Sequence, residues 1–172
     1  MDIGGGLIGT GVMGKSHALA YRAVWAVMGF MPGVRLVSLR DTPADKAPGF
    51  AARFGFDRAT DDWRDVMADR QVQLISVTTP NGMHREITLA ALAVGKHVWC
   101  KKSMAQTLDD ARAMEAVAVA SGLLTQLGYN DTDNAAFTHA CRPVAVGEIG
   151  RVVHLRGWVD ESYQADPALQ WS

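Results

Sequence analysis

The chain has 172 residues, 48% of them apolar and 20% charged, a composition typical of a globular protein rather than a disordered one. Lysine and arginine (17) nearly balance aspartate and glutamate (18), so we expect no nucleic-acid partner and no anionic membrane surface. The longest apolar run, residues 23–31, is too short to span a bilayer, which needs about 20 residues. The first residues, MDIGG, lack the basic region of a signal peptide.

The two cysteines, Cys100 and Cys141, lie far apart in the sequence and match no metal-ligand spacing. Disulfides are rare in reducing compartments, and two isolated cysteines are typical of proteins that keep their thiols reduced. We therefore expect free thiols, no metal site and a cytoplasmic location.

Short apolar runs alternate with segments of helical periodicity over the first 130 residues. The predicted strands are residues 3–8, 34–40, 57–59, 72–79, 97–100 and 123–130. The predicted helices are residues 12–28, 45–54, 62–68 and 83–94, with a fifth between Thr107 and Gly122. Gly95 is placed to end the fourth helix, and Thr107 with Asp110 has capping-box spacing. The alternation predicts an α/β fold with a doubly wound parallel sheet.

The pattern changes after residue 130. A helix is predicted over residues 134–146 and a longer strand, RVVHLRGWV, over residues 151–159. Residues 131–172 are too few to bury a core of their own, so they are expected to expose apolar surface around residues 152–158. The predicted domains are therefore 1–130 and 131–172, the latter being the start of an incomplete α+β domain.

Residues 9–14, GTGVMG, place Gly9, Gly11 and Gly14 in G-x-G-x-x-G order between the first strand and the first helix. In a dinucleotide site these glycines allow a tight turn, close approach of the pyrophosphate and close packing of helix on strand. The backbone N–H groups around Thr10, Val12 and Met13 would then bind the phosphates at the helix N-terminus. In this strand–turn–helix context the pattern predicts a Rossmann-type domain.

Asp41 follows the second predicted strand, at the position where such domains read the adenosine ribose. Its carboxylate is expected to accept a hydrogen bond from the ribose and to repel a 2′-phosphate, so NAD is favoured. The neighbouring cation of Arg40 weakens that preference and leaves NADP as the less favoured cofactor. The alternative is that Asp41 is only a turn residue before Thr42 and Pro43.

Two further motifs follow in order, TTPNGMH at residues 78–84 and GKHVWCKKSMA at residues 95–105. With the glycine turn, they make the chain resemble the Gfo/Idh/MocA family of NAD(P)-dependent oxidoreductases, which act on sugars, inositols and related polyols. The resemblance extends through GYN at 128–130 and GEIGRVVHLRGWV at 147–159. It implies hydride transfer between NAD(P) and a small polyol or sugar substrate. It also implies that residues 131–172 are part of a substrate and oligomerisation domain, so the partners expected are this substrate and other copies of the chain.

The resemblance also implies that the Pro-Asn-x-x-His motif, here Pro80, Asn81 and His84, borders the nicotinamide half of the cofactor. Asn81 and the backbone of Thr79 and Pro80 are the expected contacts, because an amide can both donate to and accept from a ribose or carboxamide. His84 either joins these contacts or makes a structural hydrogen bond at the start of a helix.

The family's Glu-Lys-Pro sequence after the fifth strand corresponds here to Lys101, Lys102 and Ser103. Lys102 is thus the candidate catalytic residue, and it can move a proton only if its surroundings lower its pKa from about 10.4 toward roughly 7–8. Lys101 is grouped with the cofactor-binding residues, and its charge is expected to weaken the binding of NAD⁺ more than the binding of NADH. The two side chains should diverge, because successive residues of a strand point to opposite faces. Serine in place of proline predicts a trans bond after Lys102.

Members of the family continue into a mainly antiparallel sheet that supplies an aspartate and a histidine to the catalytic site. Without that sheet, the resemblance implies impaired or absent turnover. The alternatives are a non-catalytic module that binds NAD(H) and a subunit-interaction remnant that binds no ligand.

Overall fold

The structure is a computed structural model that describes residues 2–29, 32–41, 45–129 and 134–158, in two compact units, 1–128 and 129–172. The strands of the first unit are β1 Ile3–Ile8, β2 Val34–Arg40, β3 Arg58–Thr60, β4 Leu74–Val77, β5 His97–Lys101 and β6 Thr125–Gly128. Its helices are α1 Val12–Met28, α2 Lys46–Phe54, α3 Trp63–Ala68, α4 His84–Ala93 and α5 Leu108–Ser121, with a 3₁₀ turn at Asn81–Met83. The second unit contains α6, Ala135–Ala145. None of the described helices is long and apolar enough to cross a membrane.

All six strands run parallel in the order β3-β2-β1-β4-β5-β6, which confirms the predicted Rossmann-type doubly wound sheet. The strand order reverses between β1 and β4, and this is the point where such sheets open a crevice at their carboxyl edge. β1 forms although Gly4, Gly5 and Gly6 lower its strand propensity. Its central position compensates, because it has hydrogen-bonded neighbours on both sides.

Neighbouring residues of the strands enter two different cores, as expected when helices cover both faces of a sheet. Leu7 packs with α1 and α2, whereas Ile8 packs with α3, α4 and α5. The core on the α1 and α2 side comprises Leu7, Ala18, Tyr21, Leu36, Leu39, Ala47, Ala51, Phe54 and Phe56. The second core is the larger one and is centred on Ile75, Val77 and Ile87.

The predicted helix ends are confirmed. Gly95, one residue beyond the C-cap of α4, has a φ of +76°, and Gly122 after α5 has a φ of +66°. At the start of α5, the Thr107 hydroxyl oxygen accepts the backbone N–H of Asp110 at 3.1 Å. Local side-chain and glycine chemistry therefore fixes where these helices begin and end.

The strand predicted over residues 151–159 is wrong for the part that is described. Residues 151–158 have no regular secondary structure. Val153, Leu155 and Trp158 are exposed, as the expectation of an uncovered apolar segment requires. An apolar, β-branched run becomes a strand only if a neighbouring strand pairs with it, and the described residues of the second unit contain no strand.

Candidate functional site

The candidate residues follow neighbouring strands at one edge of the sheet. Ile8 at the end of β1 pairs with Arg40 of β2 on one side and with Val77 of β4 on the other. Val77 in turn pairs with Cys100 of β5. The segments at the carboxyl ends of these strands, residues 9–14, 41, 79–81 and 101–103, are therefore brought to the same edge, on both sides of the reversal in strand order.

Glycine is required at two positions of the turn between β1 and α1. Gly9 has a φ of +101°, and a Cβ atom there would lie 2.8 Å from the Thr78 carbonyl oxygen. A Cβ atom on Gly14 would lie 2.1 Å from the carbonyl oxygen of Gly9. The Thr78 hydroxyl also donates to that same Gly9 oxygen at 2.7 Å. The absence of side chains at both glycines allows α1 to begin directly against the end of β1.

The first turn of α1 offers unbonded backbone donors to an anion. Gly11 is the N-cap residue and provides no side-chain acceptor, and the first turn contains no acidic residue. The opening N–H groups of a helix have no partner within the helix, so those around Val12 and Met13 face outward with the positive end of the helix dipole. Thr10, Gly11, Val12 and Met13 therefore fit a pyrophosphate.

Asp41 is held beside the glycine turn. The hydroxyl of Thr10 donates to the Asp41 carboxylate. A carboxylate has about four acceptor positions and can accept from several donors at once, a ribose hydroxyl among them. Arg40 is directed elsewhere, since its Nε donates to the Asp61 carbonyl oxygen at 3.1 Å. The arrangement presents a negative rather than a positive group where a 2′-phosphate would lie, which favours NAD.

At the end of β4, the Thr79 side chain is 8% exposed, and its hydroxyl oxygen has no hydrogen-bond partner among the described residues. Pro80 and Asn81 follow it, both exposed, where the 3₁₀ turn begins. A buried polar atom without a partner costs stability unless a ligand or water completes it. The Thr79 hydroxyl is covered by protein, so the exposed Asn81 amide and the neighbouring Pro80 are the groups here that fit a nicotinamide riboside.

His84 has no exposed surface, and both of its ring nitrogens face backbone oxygens. Nε2 lies 2.8 Å from the Thr79 carbonyl oxygen, and Nδ1 lies 2.8 Å from the Ser103 carbonyl oxygen. These contacts correspond to the structural alternative for His84. The ring connects the two loops without facing a space that a cofactor would occupy.

The two lysines lie in different environments, as the alternation of side chains along β5 predicts. Lys101 is 7% exposed, and its Nζ donates to the Gly128 carbonyl oxygen at 3.3 Å. Burial, together with the nearby charge of Lys102, lowers the pKa of Lys101. Lys102 is exposed at the sheet edge. The bond between Lys102 and Ser103 is cis, so the expected trans bond is wrong.

A buried polar cluster beneath Lys101 was not predicted. The Ser76 hydroxyl lies 3.1 Å from Nδ1 of His17 and 2.5 Å from the Tyr21 hydroxyl. Burial, and secondarily the charge of Lys101, lowers the pKa of His17 to about 4. A signal was present in the sequence, since His17 lies on the same helical stripe as Gly14 and Tyr21, where an apolar residue is usual.

A cavity of about 690 Å³ lies between α5 and strands β5 and β6. None of the candidate residues lines it. Cys100 does, but burial raises the pKa of its thiol to about 11, so it stays protonated and is a poor nucleophile near neutral pH. Among the described residues, no group of three or more His, Cys, Asp or Glu side chains is placed to hold a metal ion.

The family model described as "Oxidoreductase family, NAD-binding Rossmann fold" (GFO_IDH_MocA) matches residues 3–129. The chain belongs to the Gfo/Idh/MocA family. Levoglucosan dehydrogenase of Pseudarthrobacter phenanthrenivorans is 36% identical over 172 residues, covering 96% of this chain and 43% of that protein. Inositol 2-dehydrogenase of Gluconacetobacter diazotrophicus is 32% identical, covering 98% of this chain and 50% of that protein.

A solved structure of a Gfo/Idh/MocA relative, levoglucosan dehydrogenase in complex with NADH and levoglucosan, superposes with a TM-score of 0.80 at 32% identity. The match covers 88% of this chain and 41% of that one. The chain thus spans half or less of the length of these relatives. It carries the NAD-binding Rossmann fold of an oxidoreductase family whose members named here act on a sugar derivative or an inositol.

Proposed function

We propose that this chain is the nucleotide-binding part of an oxidoreductase that transfers a hydride between NAD and a sugar, inositol or related polyol. The observation that supports this most strongly is the Asp41 carboxylate, held by Thr10 beside the glycine turn. The relatives support the substrate class, because those named above act on levoglucosan and inositol. The proposal includes a cytoplasmic location, because both cysteines are free thiols and such thiols are typical of reducing compartments.

The site has two ends. The adenosine end consists of residues 9–14 and Asp41, with the glycine turn and the start of α1 holding the pyrophosphate and Asp41 holding the ribose. The nicotinamide end consists of residues 79–81, His84, Lys101 and Lys102. There, the Asn81 amide and the backbone of Thr79 and Pro80 orient the nicotinamide riboside, while His84 acts through the backbone it holds.

NAD, when bound, supplies the hydride acceptor. Lys102 is assigned to proton transfer: as the carbon–hydrogen bond breaks, the substrate hydroxyl proton passes by way of Nζ to solvent. The products are a ketone, reduced cofactor and a proton. Lys101 is buried and bonded to Gly128, so it acts on the cofactor through its charge rather than through contact with substrate.

A second candidate function is a module that binds NAD(H) without turnover. The described residues of 129–172 support it, because they form α6 and an exposed segment and contain no strand of a second sheet. Such a sheet would shield the nicotinamide from water and orient a substrate. We therefore expect this 172-residue chain, assayed alone, to bind NADH and to oxidise polyols slowly or not at all.

Calorimetry and absorbance spectroscopy test the two functions together. The first measures binding of NADH to the chain, and the second follows NADH formation with a panel of polyols that includes levoglucosan and inositol. Binding with turnover supports the oxidoreductase, and binding without turnover supports the module. Absence of binding to both NADH and NADPH would refute both, and would favour a subunit-interaction role.

A further inference from the structure

His84 is placed between two loops that the sheet itself does not join. The last residue pair of the β4–β5 ladder is Val77 with Cys100. Thr79 and Ser103 lie beyond that pair, and the His84 ring contacts the carbonyl oxygen of each at 2.8 Å. The ring has no exposed surface, so solvent does not compete for either contact.

The two contacts constrain the chemistry of the ring. A carbonyl oxygen accepts hydrogen bonds and never donates them, and a neutral imidazole has only one N–H group. Because the ring always carries at least one N–H group, His84 donates to at least one of these two buried carbonyl oxygens and fills the space between them.

We propose that His84 is a positioning residue that clamps the loop after β4 to the loop after β5 and thereby sets the nicotinamide end of the site. Asn81 lies two residues after Thr79, and Lys102 directly precedes Ser103. Fixing the two carbonyl groups therefore fixes the backbone that presents both candidate side chains. The part of this inference that concerns cofactor binding rests on the proposed function, whereas the contact of the ring with the two loops does not.

Two ligands separate the ends of the site. NADH occupies both, while ADP-ribose lacks nicotinamide and reports the adenosine end alone. We expect His84→Phe, which removes both ring nitrogens, to weaken NADH binding tenfold or more and to change ADP-ribose binding by less than twofold. His84→Gln carries its donors on a single nitrogen, which can reach one of the two carbonyl groups only, so an intermediate loss of NADH affinity is expected.

His97 provides the matched control. It lies at the start of β5, at the opposite edge of the sheet, where its Nδ1 accepts the backbone N–H of Leu124. His97→Gln should change the affinities for NADH and ADP-ribose by less than twofold. Equal losses of affinity for NADH and ADP-ribose in the His84 variants, or no loss of NADH affinity, would overturn the positioning role.

Nitrogen-15 NMR of the histidine rings in the unmodified chain tests the contact of the ring with the two loops directly, whether or not the variants fold. A ring N–H of His84 that exchanges slowly with solvent is expected, because the ring is buried and bonded, and an N–H that exchanges as fast as that of an exposed histidine would overturn the clamp. If the unmodified chain binds neither ligand, the proposed function fails, and the NMR result still decides whether the ring is held between the two loops.

Discussion

The adenosine end and the nicotinamide end of the site lie at the same edge of one sheet but are built in different ways. The adenosine end is mostly backbone: two glycines that tolerate no Cβ atom and the opening turn of α1, with one carboxylate beside them. The nicotinamide end depends on side chains tied to carbonyl groups, His84 to Thr79 and Ser103, and Lys101 to Gly128. A substitution at the adenosine end should change how closely the cofactor can approach the backbone. A substitution at the nicotinamide end should change the position or the charge of the groups beside the nicotinamide.

The largest effect is expected from Gly11→Val, which adds a branched side chain where the pyrophosphate approaches α1. Binding of both NADH and ADP-ribose should weaken by roughly 100-fold or more, equivalent to about 2.7 kcal/mol, as measured by calorimetry. Gly157→Val is the control, because Gly157 lies in an exposed segment with open space around its Cβ position. Unchanged affinity in Gly11→Val would refute the assignment of the adenosine end.

His17, in the buried polar cluster with Ser76 and Tyr21, makes the free energy of unfolding depend on pH. Its pKa in the folded chain, about 4, is below the ordinary value of 6.5, so the unfolded chain binds the proton more readily. The stability that the neutral ring contributes is complete above pH 6.5 and is lost as the pH falls toward 4. Between pH 7 and pH 4.5, urea unfolding should show a loss of about 2 kcal/mol that is specific to His17.

The reference for this measurement is His17→Asn, which keeps a polar group toward Ser76 but does not titrate. The variant should be less stable at pH 7 and should lose less stability than the parent on acidification. If parent and variant lose equal free energy of unfolding, the buried neutral state of His17 is wrong.

Asp41 allows the adenosine end to be tested for cofactor choice. A hydrogen bond to a charged group contributes about 1.5–3 kcal/mol, so Asp41→Ala should reduce the preference for NADH over NADPH by tenfold or more. Thr10→Val should reduce it by a smaller factor, because the carboxylate remains but loses the hydroxyl that holds it. Thr10→Ser keeps that hydroxyl and should retain the preference. Kd values for both cofactors check the series, and an unchanged ratio in Asp41→Ala would contradict ribose recognition.

The difference between the two ends also explains how far the sequence could be interpreted. Glycine spacing, an acid after the second strand and apolar runs are local features, so the sheet, the helices and the tight glycine turn beside Asp41 could be predicted. The contacts of His84 and the burial of Lys101 depend on residues 19 and 27 positions away along the chain. Alternation along β5 predicts that Lys101 and Lys102 diverge, but it does not say which face is covered.

Residues 151–158 show that a local pattern can also predict an element that does not form. Their apolar residues, among them Val152 and Val153, favour a strand, yet a strand forms only with a hydrogen-bonded neighbour, and sequence pattern cannot supply one. His17 is a third example, since its protonation depends on packing against Ser76 and on the charge of Lys101. In each case the missing information is tertiary.

The smallest predicted effect concerns the charge of Lys101. The nicotinamide ring is cationic in NAD⁺ and neutral in NADH, so a cation nearby should weaken the oxidised form selectively. Lys101→Glu changes the local charge by two units, which at a separation on the order of 8 Å in a water-like dielectric is worth about 1 kcal/mol, or roughly fivefold. We therefore expect NAD⁺ affinity to rise about fivefold more than NADH affinity, with or without Ser103→Pro. Lys101→Gln changes the charge by one unit and should give about half of that free energy.

The effect should also diminish as the pH rises, because burial and the charge of Lys102 lower the pKa of Lys101, and the neutral amine no longer repels NAD⁺. Titrating both cofactors against the parent and the two variants at neutral and alkaline pH provides the test. Equal changes for NAD⁺ and NADH would show that Lys101 acts through packing against Gly128 rather than through its charge, since packing does not distinguish the oxidation states. If Lys101→Gln instead raises NAD⁺ affinity over NADH affinity by half the free energy that Lys101→Glu gives, the charge of Lys101 acts on the nicotinamide ring although its side chain is buried.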